Sequence, residues 1–408
     1  MNDAAVAIKA ESEVDYVAQA RELSEELKKG AAERDARGGH PAAERELIRK
    51  SGLLSINIPK EYGGLGADWV TAIRVQREIG KADGSLAHVF GYHLCEVILP
   101  QLVGSAEQGE KFYREAAANN WFCGNASSEH VPKLIDWRTK LYPDGDGWVI
   151  RGTKHFCSGA KGSDRLFVFA GLDGEENLFR GLCVAVIPTD REGVKVNDDW
   201  DNMGQRLTDS GSVEFHDVRV SKDELLGGPG AFFASLYPTL WALAAQLAIG
   251  NVYLGIALGA IETAREYTRT TTRPWPAAGV EKATQDPFII QKYGDMWVDL
   301  MAAVNATDHA AAMLQACWDM GKAVTPAARA EASVAVSIAK VLSTRVSLAV
   351  TSKMFEVMGA RATAAKYKID RFWRNARTHT LHDPVDYKVL EVGNWYLNDQ
   401  PPPPTFTS

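Results

Sequence analysis

A chain of 408 residues is too long for one ordinary hydrophobic core and fits two or three domains. Hydrophobic residues make up 46% and charged residues 24%, a globular composition that argues against a disordered chain. The 45 basic and 52 acidic residues leave a net charge of -7, without the basic surplus on which phosphate-backbone binding draws, so no nucleic-acid partner is expected.

Five separated cysteines, none in a CxxC pair, indicate neither a disulfide framework nor a zinc site and read as reduced thiols. The opening MNDAAVAIKAESEVDYVAQA carries acidic residues and no apolar core, so it does not read as a secretory signal, and a cytoplasmic location is expected. Residues 12–50 are rich in Ala, Glu, Leu, Lys and Arg at helical spacing, broken by Gly-Gly-His-Pro at 38–41. After breaks at Pro59 and Gly63-Gly64 the helical pattern resumes to about residue 104, so residues 1–118 are expected to form an N-terminal α-helical domain. Short β-rich runs then follow (GWVIRGTKHFCSG, RLFVFAGL, GLCVAVIP, GVKVN, GSVEFHDVRV), separated by Gly, Asp, Pro and Asn clusters. They predict a central antiparallel β domain over 119–230.

Long Ala- and Leu-rich helical segments after residue 230 predict a C-terminal four-helix-bundle domain over 231–408, ending in an extended tail because QPPPPTFTS cannot be helical. The fold class is therefore α+β multidomain. Leu240 to Ile261 holds no charged residue and is long enough to cross a bilayer, but its Ala, Gly, Gln246 and Asn251 favour a buried helix, and no membrane partner is expected.

The chain has no G-x-G-x-x-G after a strand, no P-loop, no H-E-x-x-H and no G-x-S-x-G, which argues against dinucleotide, P-loop, zincin and serine-hydrolase chemistry. SGAKGSD at 158–164 has the wrong spacing for a P-loop and reads as a strand-end turn. Two histidine pairs stand close, His88 with His93 and His379 with His382, but no third ligand is suggested and no metal is expected; core or capping histidines are the plain alternative. Arg371, Arg374 and Arg377 recur every third position and read either as an ion-paired face or as an anion-contacting face at a subunit boundary. Arg273, before Pro274 at a helix end, suits a phosphate grip or is a surface arginine, and the indole of Trp200 suits the wall of a planar ligand or simple packing.

The α, β, α order, with EYTRTTTRPW, GDMWVDLMAA and FEVMGARATAAKYKIDRFWRNAR, resembles the acyl-CoA dehydrogenase superfamily over essentially the whole chain, which implies a central β-barrel between the helical domains. Two segments depart from the dehydrogenases: GNASSEHVPKLIDW stands where they carry an acidic Gly-Ser-Asp motif, and His382-Asp383-Pro384-Val385 stands where they carry Tyr-Glu-Gly-Thr with the general base. FGYH, NNWFCGNASSE, GTKHFCSGAKGSD, NDDW and DRFWRNARTHTLHDPV resemble instead the reduced-flavin-dependent branch typified by dibenzothiophene monooxygenase.

That resemblance implies FMN, held by the β domain and the C-terminal bundle of a homotetramer, and O2 as co-substrate. It places His88, Tyr92, Asn125, Ser158 and His382 as catalytic residues. It places Tyr92, Asn125, Ala126, Ser127, Ser128, Glu129, His130, Lys154, His155, Phe156, Cys157, Ser158, Trp200, Arg273, Ala360, Arg361 and His382 around the cofactor. It implies S-oxygenation of a sulfide or dibenzothiophene-like aromatic substrate to sulfoxide and sulfone through a C4a-hydroperoxyflavin. With no nicotinamide fingerprint, the FMNH2 is expected from a separate NAD(P)H:flavin reductase by diffusion, and the loop from Ser127 to Arg138 is expected to close as a lid. The alternatives are an acyl-CoA dehydrogenase using Asp383 as base, an N-hydroxylase or indole oxygenase on the same scaffold, and a flavin-storage protein.

Overall fold

The structure, a computed structural model, describes residues 15–130 and 137–408. Among the described residues seven helices come first: α1 (Tyr16–Lys28), α2 (Ala31–Arg37), α3 (Ala42–Lys50), α4 (Trp69–Ala82), α5 (Gly84–Val97), α6 (Leu99–Val103) and α7 (Ala106–Asn119). Asp68 caps α4 by accepting from the Thr71 N–H, and Asp83, between α4 and α5, accepts from the N–H groups of Ser85 and Leu86. The same Asp83 carboxylate takes Arg34 of α2 at 3.0 Å, so the turn that aims α5 is fixed by a buried ion pair. Every residue of α5 except Tyr92 is buried.

Seven strands follow as one sheet: β1 (Cys123–Ala126), β2 (Lys140–Asp144), β3 (Gly147–Lys154), β4 (Arg165–Leu172), β5 (Leu182–Pro188), β6 (Val194–Val196) and β7 (Val213–Val220), with a short α8 (Leu178–Gly181) before β5. The β2–β3 hairpin turns at Gly145, whose φ of 62° suits a residue without a Cβ. The expectation of purely antiparallel pairing is corrected at β4, to which both β1 and β2 run parallel. The cause is burial: the interior of β4 and almost all of β5 are covered on both faces, so their continuous apolar runs show no alternation from which direction could be read.

The remaining helices are α9 (Leu240–Thr270), α10 (Pro287–Met320), α11 (Pro326–Met358), α12 (Arg371–His379) and α13 (Val385–Asn398). Among the described residues, the stretches Gly84–Val103, Leu240–Thr270 and Pro326–Met358 are long and apolar enough to cross a membrane; in the fold α9 is buried against α4, α5, α10 and α11. The tail is extended through Pro401–Pro404, then turns inward. Phe406 stacks on Phe232 at 5.2 Å, and the Ser408 carbonyl accepts from Arg329 at 2.6 Å.

α4 and α9 approach so closely that a Cβ on Gly255 would stand 2.7 Å from the Gly80 Cα and 2.8 Å from the Arg77 carbonyl oxygen. Backbone cannot yield there as a side-chain tip would. Gly255→Ala is therefore expected to destabilise the protein by about 1–3 kcal/mol, read as a lower midpoint in urea unfolding.

Candidate active site

Residues four apart on a helix share a face, and α5 places His88, Tyr92 and Glu96 on one such stripe. Each reaches a different part of the chain. His88 Nε2 lies 2.9 Å from Ser158 Oγ, Tyr92 Oη lies 3.0 Å from His382 Nε2, and Glu96 Oε1 accepts from Asn125 Nδ2 at 2.7 Å. The five residues expected to be catalytic are thus brought together along a single face of α5, His88 and Tyr92 on it and Asn125, Ser158 and His382 against it. Glu96 was not foreseen, although its spacing from Tyr92 carried the signal.

Two hydrogen-bonded chains run from this stripe. Ser158 Oγ continues to Ser210 Oγ at 2.8 Å, and Ser210 donates to Thr208 Oγ1 at 2.7 Å. His382 Nδ1 lies 2.9 Å from Asp383 Oδ1, which also accepts from the buried Lys340 ammonium at 3.0 Å. With the carboxylate accepting at Nδ1, Nε2 is left to accept from the Tyr92 hydroxyl. The His88 ring is stacked between Tyr92 at 4.8 Å and His379 at 4.1 Å.

Burial, aided by the neighbouring His382, pushes His88 down to about 3, so it works as a neutral imidazole. Burial also pushes the Tyr92 hydroxyl well above its ordinary value, which keeps its proton on. Burial alone would raise Asp383, but the His382 hydrogen bond and the Lys340 charge outweigh it and hold the carboxyl well below the usual range.

The strand end after Asn125 lies against the segment after β3. Ala126 is buried, the Ser127 carbonyl accepts from Lys154 Nζ at 3.0 Å, and the Ser128 carbonyl accepts from the His155 N–H at 2.8 Å. Lys154 also pairs with Glu129 at 2.7 Å, both side chains being buried, and Glu129 accepts from the backbone N–H groups of Arg138 and Thr139. Burial lowers the lysine to about 8 in spite of that carboxylate. The lid expected over 127–138 is described only at its two ends, since residues 131–136, which hold most of its HVPKL portion, lie outside the described residues.

Cys157 is buried, with its N–H on the Gly211 carbonyl, whereas Phe156 is 49% exposed at a φ of 55° and meets the Trp200 ring edge-on at 6.1 Å. His130 stacks on His155 at 3.9 Å. An exposed aromatic wall thus stands in the same site as buried polar atoms without partners among the described residues, among them His88 Nδ1, His155 Nδ1 and Gln205 Oε1. Such a site fits a planar heteroaromatic group with hydrogen-bonding edges, as a flavin is.

Three expected cofactor residues are not there. Arg361 donates to the Thr271 carbonyl at 3.1 Å, beside exposed Arg273 and Ala360 at the C-terminal end of α9. Tyr253 of α9, whose hydroxyl donates to the His379 carbonyl, marks the site end. At a rise of ~1.5 Å per residue the two groups are about 25 Å apart. Arg374 is taken up within the chain by Asp35, Asp370 and the Met203 carbonyl, the ion-paired alternative for that face.

The chain matches the models for the acyl-CoA dehydrogenase N-terminal domain over residues 11–120, the middle domain over 134–218 and the C-terminal domain over 247–387. It is 52% identical to dibenzothiophene monooxygenase of Rhodococcus erythropolis over 399 residues, covering 97% of this chain and 96% of that one. The chain belongs to the flavin-dependent monooxygenases of the acyl-CoA dehydrogenase family. It is also 43% identical to the probable FMNH2-dependent monooxygenase SfnC of Pseudomonas putida, covering 96% of this chain and 97% of that one. The structure of TdsC from Paenibacillus sp. A11-2 with FMN and indole superposes with a TM-score of 0.92 at 46% identity, covering 96% of this chain and 99% of that one. Membership agrees with the state of Asp383: a carboxylate held low by an ammonium and an imidazole is a poor base for abstracting a carbon-bound proton, which sets aside the dehydrogenase alternative.

A carboxyl whose folded value is depressed adds stability above its ordinary value and loses it as pH falls. Asp383→Asn, which leaves Lys340 buried without a counter-charge, is expected to cost about 3–5 kcal/mol near pH 7. Thermal melts from about pH 8 down to pH 3 should show that deficit shrinking below about pH 4, where the unfolded wild-type chain takes up a proton at Asp383 that the folded chain does not.

Proposed function

We propose that this cytoplasmic protein is an FMNH2-dependent monooxygenase that oxygenates the sulfur of a sulfide or dibenzothiophene-like thiophene, giving sulfoxide and then sulfone. A separate NAD(P)H:flavin reductase supplies the reduced cofactor. The observation that carries the proposal is the stripe of α5, where the hydrogen-bonded pairs His88–Ser158 and Tyr92–His382 stand side by side next to the Phe156–Trp200 wall. FMN in TdsC and dibenzothiophene in the name of the Rhodococcus relative support the choice of cofactor and substrate. Indole in TdsC also supports a second reading, oxygenation of an indole on the same site.

Reduced FMN, when bound, supplies the activation of O2 at its C4a carbon. The chain supplies the rest. Asn125, Ser127, Ser128, Lys154, His155 and Ser158 offer the polar edge, and Phe156, Trp200 and the His130–His155 pair exclude water from one side. Ser158, held between neutral His88 and the Ser210 hydroxyl, keeps its proton and faces the site as a neutral hydroxyl. His382, oriented by Asp383 and Lys340, accepts a hydrogen bond from the Tyr92 hydroxyl and fixes its direction while the proton stays on Tyr92.

The separation of Arg273, Ala360 and Arg361 from this cluster fits a homotetramer in which a second copy brings its own α9 end to the site. The C-terminal domain carries exposed apolar side chains suited to such packing, Phe288, Ile290 and Val298 on α10 and Leu390, Tyr396 and Leu397 on α13.

Mass spectrometry of products from a panel of sulfides, thiophenes, amines and indoles, with FMN, NADH and a flavin reductase, tests the reading; oxygenated sulfur is expected, and its absence rejects it. His382→Ala and Ser158→Ala should keep much of their FMN affinity while product formation falls about 10²–10³-fold and hydrogen peroxide rises in its place. Arg273→Ala should weaken FMN binding about tenfold or more, since a charge-assisted contact contributes roughly 1.5–3 kcal/mol, with the mass by light scattering still that of a tetramer.

A further inference from the structure

Glu96 is the third rung of the α5 stripe and has no assigned part. Its side chain is fully buried, one oxygen accepts from Asn125 Nδ2, and the other, Oε2, has no partner among the described residues. Asn125 is held on its other side as well: its Oδ1 accepts from the Ser127 N–H at 3.2 Å and from the Ser127 hydroxyl at 3.1 Å, and its backbone N–H donates to the Ser158 carbonyl at 3.1 Å. An amide held at both ends cannot flip. We propose that Glu96 is a positioning residue of the oxygenation reaction, its carboxyl locking the Asn125 amide in the orientation that leaves one Nδ2 hydrogen for the site.

The chemistry of the pocket indicates which form of Glu96 does this. Burial raises its carboxyl to about 8, outweighing the hydrogen bond from Asn125 that acts the other way. The titratable groups that feel its charge are Tyr92 and Cys95 on α5 and Cys123 on β1, each raised by burial and so kept neutral. An anion with one oxygen unpaired would be costly there, whereas a neutral acid is tolerated. Near pH 7 the residue is therefore an uncharged carboxylic acid, and a glutamine reproduces its shape and its acceptor. Above about pH 8 the proton leaves, and a negative charge enters the site beside Tyr92.

The inference rests on the monooxygenase reading and is tested with Glu96→Gln, Glu96→Leu and wild type side by side. At pH 7 the ratio of oxygenated product to hydrogen peroxide should be unchanged in Glu96→Gln and about tenfold or more lower in Glu96→Leu, which fills the pocket but offers no acceptor. Above about pH 8 the wild-type ratio should fall while that of Glu96→Gln holds.

A second readout needs no flavin. The unfolded chain releases the Glu96 proton near the ordinary carboxyl value and the folded chain keeps it, so wild-type stability is lost relative to Glu96→Gln as pH rises from about 5 to about 8. The difference in Tm between the two proteins should widen over that range and level off above it. A Glu96→Leu enzyme that couples as wild type does, or a Tm difference flat with pH, overturns the inference alone. No oxygenated product from the wild type overturns it together with the function on which it rests.

Discussion

Burial of α5 on nearly every side is the constraint on which the site depends. A helix in that position is expected to be apolar all round, and polar side chains on it are tolerated only where each finds a partner. His88, Tyr92 and Glu96 meet that demand by engaging three separate stretches of chain: the turn after β3, the loop after α12 and the end of β1. The same bonds that make the helix tolerable in the interior therefore gather the site. Ion pairing of Asp83 with Arg34 at the head of α5 sets the angle from which all three rungs point.

The low-dielectric setting also divides labour among the ionisable groups. His88 and Tyr92 are kept neutral, and the Lys340–Asp383 pair stays charged one residue away from His382. A neutral, hydrogen-bonding floor suits a reaction that must hold a proton in place, and a charged buttress behind it fixes ring orientation without placing net charge in the site.

Much of this was legible in the chain itself. Runs such as NNWFCGNASSE and DRFWRNARTHTLHDPV carried the family, and the change of period near residue 120 and again after Gly230 marked where helices give way to strands and return. Three features were not legible, each for a physical reason. The parallel pairing of β1 and β2 with β4 is hidden because strands covered on both faces show no alternation. Glu96 was passed over because a lone glutamate in FGYHLCEVIL reads as an ordinary polar position until the helix is seen to be enclosed. The placement of Arg273 and Arg361 remote from the other cofactor residues depends on the length of α9, which local patterns do not reveal.

The Glu129 carboxylate receives the backbone at Arg138 and Thr139 while Lys154 ties it to Ser127, so the chain leaves the sheet and rejoins it at one buried knot. Closure of that excursion is fixed by side chains lying outside it, and the entropy of bringing its ends together grows only slowly with length. The strand register at the ends of β1 and β2 is therefore held by side chains of the described sheet, with Lys154 on β3 as the post to which both ends are tied.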